Sequence, residues 1–362
     1  MRSTDVRSHA SQSVWLDAIT RELLTSGTLA RYVAGWNVTG LTSNPTIFDR
    51  AIETDAAYDE AIRRVNRSDG SDEDVFFDLA IEDISRAADI LRPTWERSSG
   101  VDGWVSIEVS PFLAHDTAAT LAAAVSLRAR IGRPNAMIKI PGTAQGLAAA
   151  EEAIFSGIPI NITLLFSREQ YAEAAEAYRR GIERRLTIGL DPRVDSVASL
   201  FVSRWDTSVT GWIPASLENR LGIAMGQRVY RTYLDLLESG QWRKILDAGA
   251  RPQRLLFAST GTKSKGIPAT QYVDALRLPG TVVTMPETTL RAFAERDAAK
   301  PHSASSARGD CEGVLARFRD AGVDLRGTAE RLRKEGLAAF QKSWADLMAV
   351  IAAKRRSPSV SR

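Results

Sequence analysis

One cysteine, Cys311, and three histidines, His9, His115 and His302, are all that 362 residues contain. A single thiol excludes an internal disulfide framework and fits a reducing cytoplasm, the expected location. The histidines are scattered, with no HExxH or Cys/His ligand spacing, so no metal-binding motif is present. His115 precedes Asp116-Thr117, a helix start, and is expected on a solvent-side loop. No apolar stretch approaches the ~20 residues that span a bilayer, and MRSTDVRSHASQS at the N-terminus lacks the apolar core of a secretory signal. Charge of one sign is also lacking. The net charge is +3, and four basic residues fall in the closing KRRSPSVSR. The remainder is close to neutral, without the basic face that nucleic acid requires. Neither nucleic acid nor membrane is therefore an expected partner. No Walker sequence follows any apolar run, since GTKSKG has neither the spacing nor the following hydroxyl.

What is present is an ordinary globular composition, 44% hydrophobic and 25% charged, arranged in a repeating pattern. Eight strand-like apolar runs occur: VWLDAI (14–19), VTGLTS (38–43), WVSIEV (104–109), AMIKIPG (136–142), IPINITLLF (158–166), SVASLFVS (196–203), RLLFAST (254–260) and TVVTMP (281–286). Helix signals lie between them. Asn44-Pro45 is a cap followed by proline at the first helical position. Ser167-Arg168-Glu169-Gln170 is a capping box opening a helix with Tyr171, Ala174, Tyr178 and Ile182 on one face. A helix around Leu147 to Phe155 stops at Gly157.

Such alternation means a parallel sheet with helical crossovers. Eight units in roughly 280 residues match a closed barrel better than an open doubly wound sheet. A dinucleotide fold needs a glycine-rich turn after its first strand, and Thr20-Arg21-Glu22-Leu23-Leu24 stands there instead. The expected fold class is α/β, a single (β/α)8 TIM barrel with additional C-terminal helices beyond the polar loop 298–310. The expected boundaries are a disordered arm at 1–13, the barrel with its C-terminal helices at 14–353, and a basic flexible tail at 354–362.

Chemistry in such barrels gathers at the C-terminal strand ends, so polar residues inside or just after the apolar runs are the informative ones. Lys139 is the most exposed to question, because a charge within Ala136-Met137-Ile138-Lys139-Ile140-Pro141 needs a partner, a lost proton or a task. Asp17 lies in the first run; Thr42, Ser43 and Asn44 end the second; Glu108 is in the third. Asn161 and Thr163 are in the fifth, Ser199 and Arg204 belong to the sixth, and Ser259 and Lys263 to the seventh. Singly, each has a structural explanation: Asp17 or Asn44 as a helix cap, Glu108 as an ion-pair partner of Lys139, Thr163 as a satisfied core threonine. Together they occupy the same position in successive units.

The stretches GLTSNPTIF (40–48), VSIEV (105–109), MIKIPGT (137–143), PINITLLFS (159–167), VASLFVSRWD (197–206), ASTGTK (258–263) and TMPETTL (284–290) resemble transaldolase in its longer bacterial form, in order and over about Val14 to Met348. The resemblance implies a (β/α)8 barrel without metal or organic cofactor. It implies transfer of a dihydroxyacetone unit from a ketose phosphate to an aldose phosphate through a lysine Schiff base, in the non-oxidative pentose phosphate pathway.

Carbon–carbon cleavage beside a ketone needs an electron sink, and an amine condensed with the carbonyl supplies one. The amine must be neutral to attack, and an apolar strand disfavours its charged form. Lys139 is the expected nucleophile, and MIKIP matches the family's Schiff-base strand. By the same resemblance Glu108 and Thr163 hold a proton-shuttling water, Asp17 takes a proton from the hydroxyl beyond the breaking bond, and Asn44 and Asn161 orient substrate hydroxyls, with Thr42 and Ser43 beside them. The phosphate needs fixed donors, expected from Arg204, Ser199, Ser259 and Lys263, with Lys265 the alternative to Lys263. Phe201 stands where related lyase-type aldolases carry tyrosine. A phenylalanine donates no proton, which favours transfer over free cleavage.

Two departures from the family pattern, Val283 in place of an asparagine and Lys265-Gly266-Ile267 in place of an Asn/Asp-Pro pair, bear on substrate preference. The alternatives left open are a dihydroxyacetone-dependent aldolase and a transaldolase dedicated to an unusual sugar phosphate in secondary metabolism. A non-catalytic sugar-phosphate-binding barrel would lack Lys139, Glu108 or Asp17, and all three are present. Monomer and homodimer both remain open.

Overall fold

A computed structural model describes residues 11–65, 70–262, 266–299 and 310–356. Eight strands, β1 (Ser13–Asp17), β2 (Val38–Thr42), β3 (Trp104–Glu108), β4 (Ala136–Pro141), β5 (Ile160–Leu165), β6 (Ser196–Phe201), β7 (Arg254–Ala258) and β8 (Val282–Met285), close into a barrel in chain order. Every pairing is parallel, including β1 with β8. Seven of the eight strands fall within their apolar runs, and β1 begins one residue before its run, at Ser13.

Alternation along the strands sorts the side chains into two layers. Leu16, Val105, Ile107, Ile138, Ile140, Ile162, Leu200, Phe257 and Val283 belong to the core shared with the surrounding helices. Trp15, Trp104, Met137, Val197, Leu256 and Val282 cluster separately, and fill the barrel interior. Trp15 is fully buried there, and Gly40 faces it: a Cβ at Gly40 would stand 2.5 Å from the indole. Glycine at that position lets the β2 backbone close on the ring. One step further along most strands the interior turns polar, whereas on β7 the same step gives Ala258.

The helices begin where the caps predict. Asn44 Oδ1 accepts the Ile47 amide (3.0 Å) at the head of Pro45–Thr54. Asp116 caps Thr117–Ile131, leaving His115 exposed. Ala144–Phe155 ends through Ser156 into Gly157, whose φ of 84° is open to glycine. Ser167 caps Arg168–Thr187 by accepting from the Gln170 amide, and Tyr171, Ala174, Tyr178 and Ile182 are buried along one face. The expected capping box is half formed, since the Gln170 side chain accepts from Phe166 N (2.8 Å) instead of reaching back to Ser167.

Two helices follow the barrel, Cys311–Asp320 and the 32-residue Leu325–Arg356. The long one lies over the C-terminal mouth. Ser343 hydrogen-bonds Thr46 (2.8 Å) on one side, Arg333 donates to Gly142 O (3.0 Å) on another, and Gln341 donates to Pro111 O (3.4 Å).

The chain ends differ from the expected boundaries. β1 starts at Ser13, and Gln12 donates to Leu276 O and Thr281 Oγ1, so the end of the expected arm is pinned to the barrel floor. The last helix runs through Arg356, because Lys354 pairs with Asp59 and Arg355 with Asp72, partners nearly three hundred residues upstream. Residues 1–10 and 357–362, and His9 and His302 with them, lie outside the described residues. Among the described residues no helix is long and apolar enough to cross a membrane.

Candidate active site

The strand register aligns the polar residues before any side chain is considered. Asp17 is the β-partner of Thr42, Glu108 of Lys139, and Lys139 in turn of Asn161. All lie at the C-terminal strand ends, around a cavity of about 270 Å³. Asp17, Thr42, Asn44, Lys139, Ser199, Phe201, Arg204 and Ser259 line it. Ser43, Glu108, Asn161 and Thr163 are buried in the wall behind. Lys263 and its alternative Lys265 lie outside the described residues.

Lys139 is 4% exposed. Its Nζ stands 3.2 Å from Glu108 Oε2 and donates to Ser43 O at 3.2 Å. Glu108 Oε1 and Thr163 Oγ1 are buried with no hydrogen-bond partner among the described residues. Burial pushes the Glu108 carboxyl up from the usual glutamate range, against the pull of the Lys139 charge and its hydrogen bond. Asp17 is raised for the same reason, with Lys139 and a 2.6 Å hydrogen bond from Thr42 opposing.

Thr42 also shares a 2.7 Å hydrogen bond with Thr284 on β8. Thr284 was not among the expected residues, although the alternation in TVVTMP marks it: Val282 lies inside the barrel, so Thr284 does too. The same register turns Val283 outward into the helix-facing core, and its departure from the family pattern therefore does not touch the mouth. Ser106, two residues before Glu108 on the inner face, is another residue that alternation could have found. It accepts from Asn161 Nδ2 (3.2 Å), while Asn161 Oδ1 accepts from Ser199 (2.7 Å).

Two hydroxyls are already committed within the protein. Ser199 is 1% exposed and lines the cavity, with its hydroxyl donated to Asn161 Oδ1. Ser43 donates its hydroxyl to Ser106 O (2.8 Å), so its part in the site is the carbonyl that accepts from Lys139, not a side chain offered to substrate. Asn44 Oδ1 caps the helix, and the residue lines the cavity.

At the far side of the cavity Arg204 stands in the helix Ser203–Val209. Its guanidinium lies 5.1 Å over the Phe201 ring and 6.0 Å from that of Phe340, with no hydrogen-bond or ion-pair partner among the described residues. Burial lowers its pKa, partly offset by Glu335. A desolvated, unpaired fork beside a cavity is a ready anion site. Ser259 sits next to it with φ of 53°, a left-handed conformation uncommon for serine. That turn brings Ser259 Oγ to 3.0 Å from Ser203 Oγ, and Ser259 O accepts from Ser203 N. Ser203, Arg50, Thr46 and Phe340 also line the cavity and were not singled out from sequence.

Fold and site define a class: (β/α)8 barrels presenting, at the C-terminal mouth, a buried lysine amine flanked by carboxylates, with a free guanidinium at the rim. The chain belongs to the transaldolase/fructose-6-phosphate aldolase family, which it matches over residues 14–351. It is 40% identical over 352 residues to the transaldolase of Parafrankia sp., covering 95% of each chain. Against the transaldolase of Thermobifida fusca it is 41% identical over 352 residues, covering 94% of this chain and 95% of that one.

Proposed function

We propose that the protein is a transaldolase, moving a dihydroxyacetone unit from fructose 6-phosphate or sedoheptulose 7-phosphate to erythrose 4-phosphate or glyceraldehyde 3-phosphate, in the non-oxidative pentose phosphate pathway of the cytoplasm. The observation that carries this reading is the placement of the Lys139 amine, 3.2 Å from Glu108, in one cavity with the unpaired Arg204 guanidinium.

In this reading the phosphate docks on Arg204 and Ser259, and the ketone carbon meets Lys139 Nζ. The amine adds to the carbonyl, and water leaves as the protonated imine forms. Protons pass between nitrogen and oxygen through Glu108, assisted by the Thr163 hydroxyl and a water between them. Asp17, held by Thr42, takes the proton from the C4 hydroxyl. The C3–C4 bond breaks, its electron pair flows into the iminium, and an aldose phosphate leaves. A second aldose phosphate enters, and the steps run in reverse. Burial raises the Asp17 carboxyl above the usual aspartate range, which favours its taking up the hydroxyl proton.

The test is to incubate wild type and Lys139→Ala with fructose 6-phosphate, reduce with borohydride, and map the modified peptide. The expected result is a dihydroxyacetone-sized adduct on Lys139 in wild type and none in the variant. A folded wild-type protein without adduct would sink the reading.

A further inference from the structure

The last helix, which belongs to none of the eight barrel units, delivers one aromatic ring to the reacting centre. Phe340 is 3% exposed and lines the cavity, with its ring centroid 5.8 Å from Lys139 Nζ and 6.0 Å from the Arg204 guanidinium carbon. One turn earlier the same face carries Gly336, where a Cβ would come within 3.0 Å of both Arg204 Nη1 and Leu164 Cδ2. The absent side chain lets the helix close on Arg204. Hydrogen bonds at Arg333, Gln341 and Ser343 hold this stretch over the mouth from both flanks.

The opposite wall is polar, with Glu108 and Thr163 behind the amine. The two sides of Lys139 therefore differ. The inner side presents the Glu108 carboxylate and the Thr163 hydroxyl, and the outer side, where an aldose phosphate leaves and arrives in this reading, is faced by an apolar ring.

We propose that Phe340 is a specificity-determining residue that decides between transfer and release of the dihydroxyacetone unit. The inference rests on the Schiff-base reading above. After cleavage the unit remains on Lys139 as an enamine, with its nucleophilic carbon towards the mouth. In transfer this carbon forms a bond to the aldehyde carbon of the acceptor, and the resulting alkoxide takes the proton held by Asp17. In release a solvent proton adds to the same carbon and regenerates the iminium. Water then adds, the lysine amine departs, and free dihydroxyacetone leaves. The ring denies bulk water the outer approach, and lets the enamine wait for an acceptor. Its face also suits the iminium cation on Nζ.

The experiment supplies fructose 6-phosphate with and without erythrose 4-phosphate to wild type and to Phe340→Leu, Phe340→Val and Phe340→Ala. It measures free dihydroxyacetone formed without acceptor against transfer with it. This ratio does not depend on the fraction of protein folded, so the series survives the cavity cost of the smaller side chains. The ratio is expected to stay near wild type in Leu, rise in Val, and rise by about threefold or more in Ala. A ratio that stays flat across the folded variants, while wild type still forms the borohydride-trapped adduct, overturns the role of Phe340 and leaves the transaldolase reading standing. No adduct in wild type removes both.

Discussion

Arg204 shows how one side chain acquires a task from its surroundings. Its guanidinium is desolvated between Phe201 and Phe340, and among the described residues no carboxylate closes on its fork. Arginine tolerates this because it holds its proton under almost any burial. The planar face lies against rings, and the donors remain for an anion. Replacing Arg204 by Ala removes a charged hydrogen bond of about 1.5–3 kcal/mol, which corresponds to a KM for phosphorylated substrate raised by roughly ten- to hundredfold. Steady-state kinetics with a phosphorylated and an unphosphorylated ketose check this. The loss is expected only for the phosphorylated one, and an equal loss for both would dissociate Arg204 from phosphate binding.

Elements rather than residues explain Asn44. It stands where β2 ends and Pro45–Thr54 begins, and its Oδ1 is committed to the Ile47 amide while the residue borders the cavity. Cap and substrate contact separate by substitution. Asn44→Ser retains a cap acceptor, whereas Asn44→Ala loses it at a cost of about 1 kcal/mol. Thermal melts are expected to drop for Ala and stay close to wild type for Ser, with KM rising in both. A Ser variant with wild-type KM would reduce Asn44 to a cap. β5 makes a comparable junction by other means. Leu164 has φ of 60°, and the pairing with β6 shifts register between Ile162 and Leu165. The bulge keeps Thr163 with the lysine layer, and turns Leu164 towards the last helix.

For the whole molecule, the buried carboxyls set how stability follows pH. Asp83 lies on the buried face of the helix Asp72–Arg97, paired with Arg21 at 3.2 Å and accepting from Tyr58 at 2.7 Å, and burial raises its pKa from 3.8 to about 6. Between these values the folded protein keeps a proton that the unfolded chain has lost. Stability therefore falls as pH rises through this window, reaching a full cost of ~3 kcal/mol above it. Asp83→Asn carries no such ionisation. Denaturant unfolding of the two proteins from pH 4 to 7 should show the variant gaining on wild type up to about pH 6 and holding its advantage beyond. A constant difference across the range would mean that Asp83 ionises normally. Asp17 and Glu108 are raised in the same direction, so the reacting layer is paid for in stability that the outer shell must supply.

By itself the sequence determined the barrel, because period-two apolar runs alternating with capped helices leave few other ways to bury both faces of eight strands. It also determined that Lys139, Glu108, Asp17 and Asn161 share one end, since each occupies the same place in its unit. Only the tertiary structure decided which hydroxyls are already committed, as Ser199 is to Asn161 and Ser43 to Ser106 O, because register pairs residues from strands distant in sequence. It alone placed Phe340 and Gly336 at the mouth. These residues sit in an amphipathic helix whose pattern says which face is apolar, but not what that face will cover.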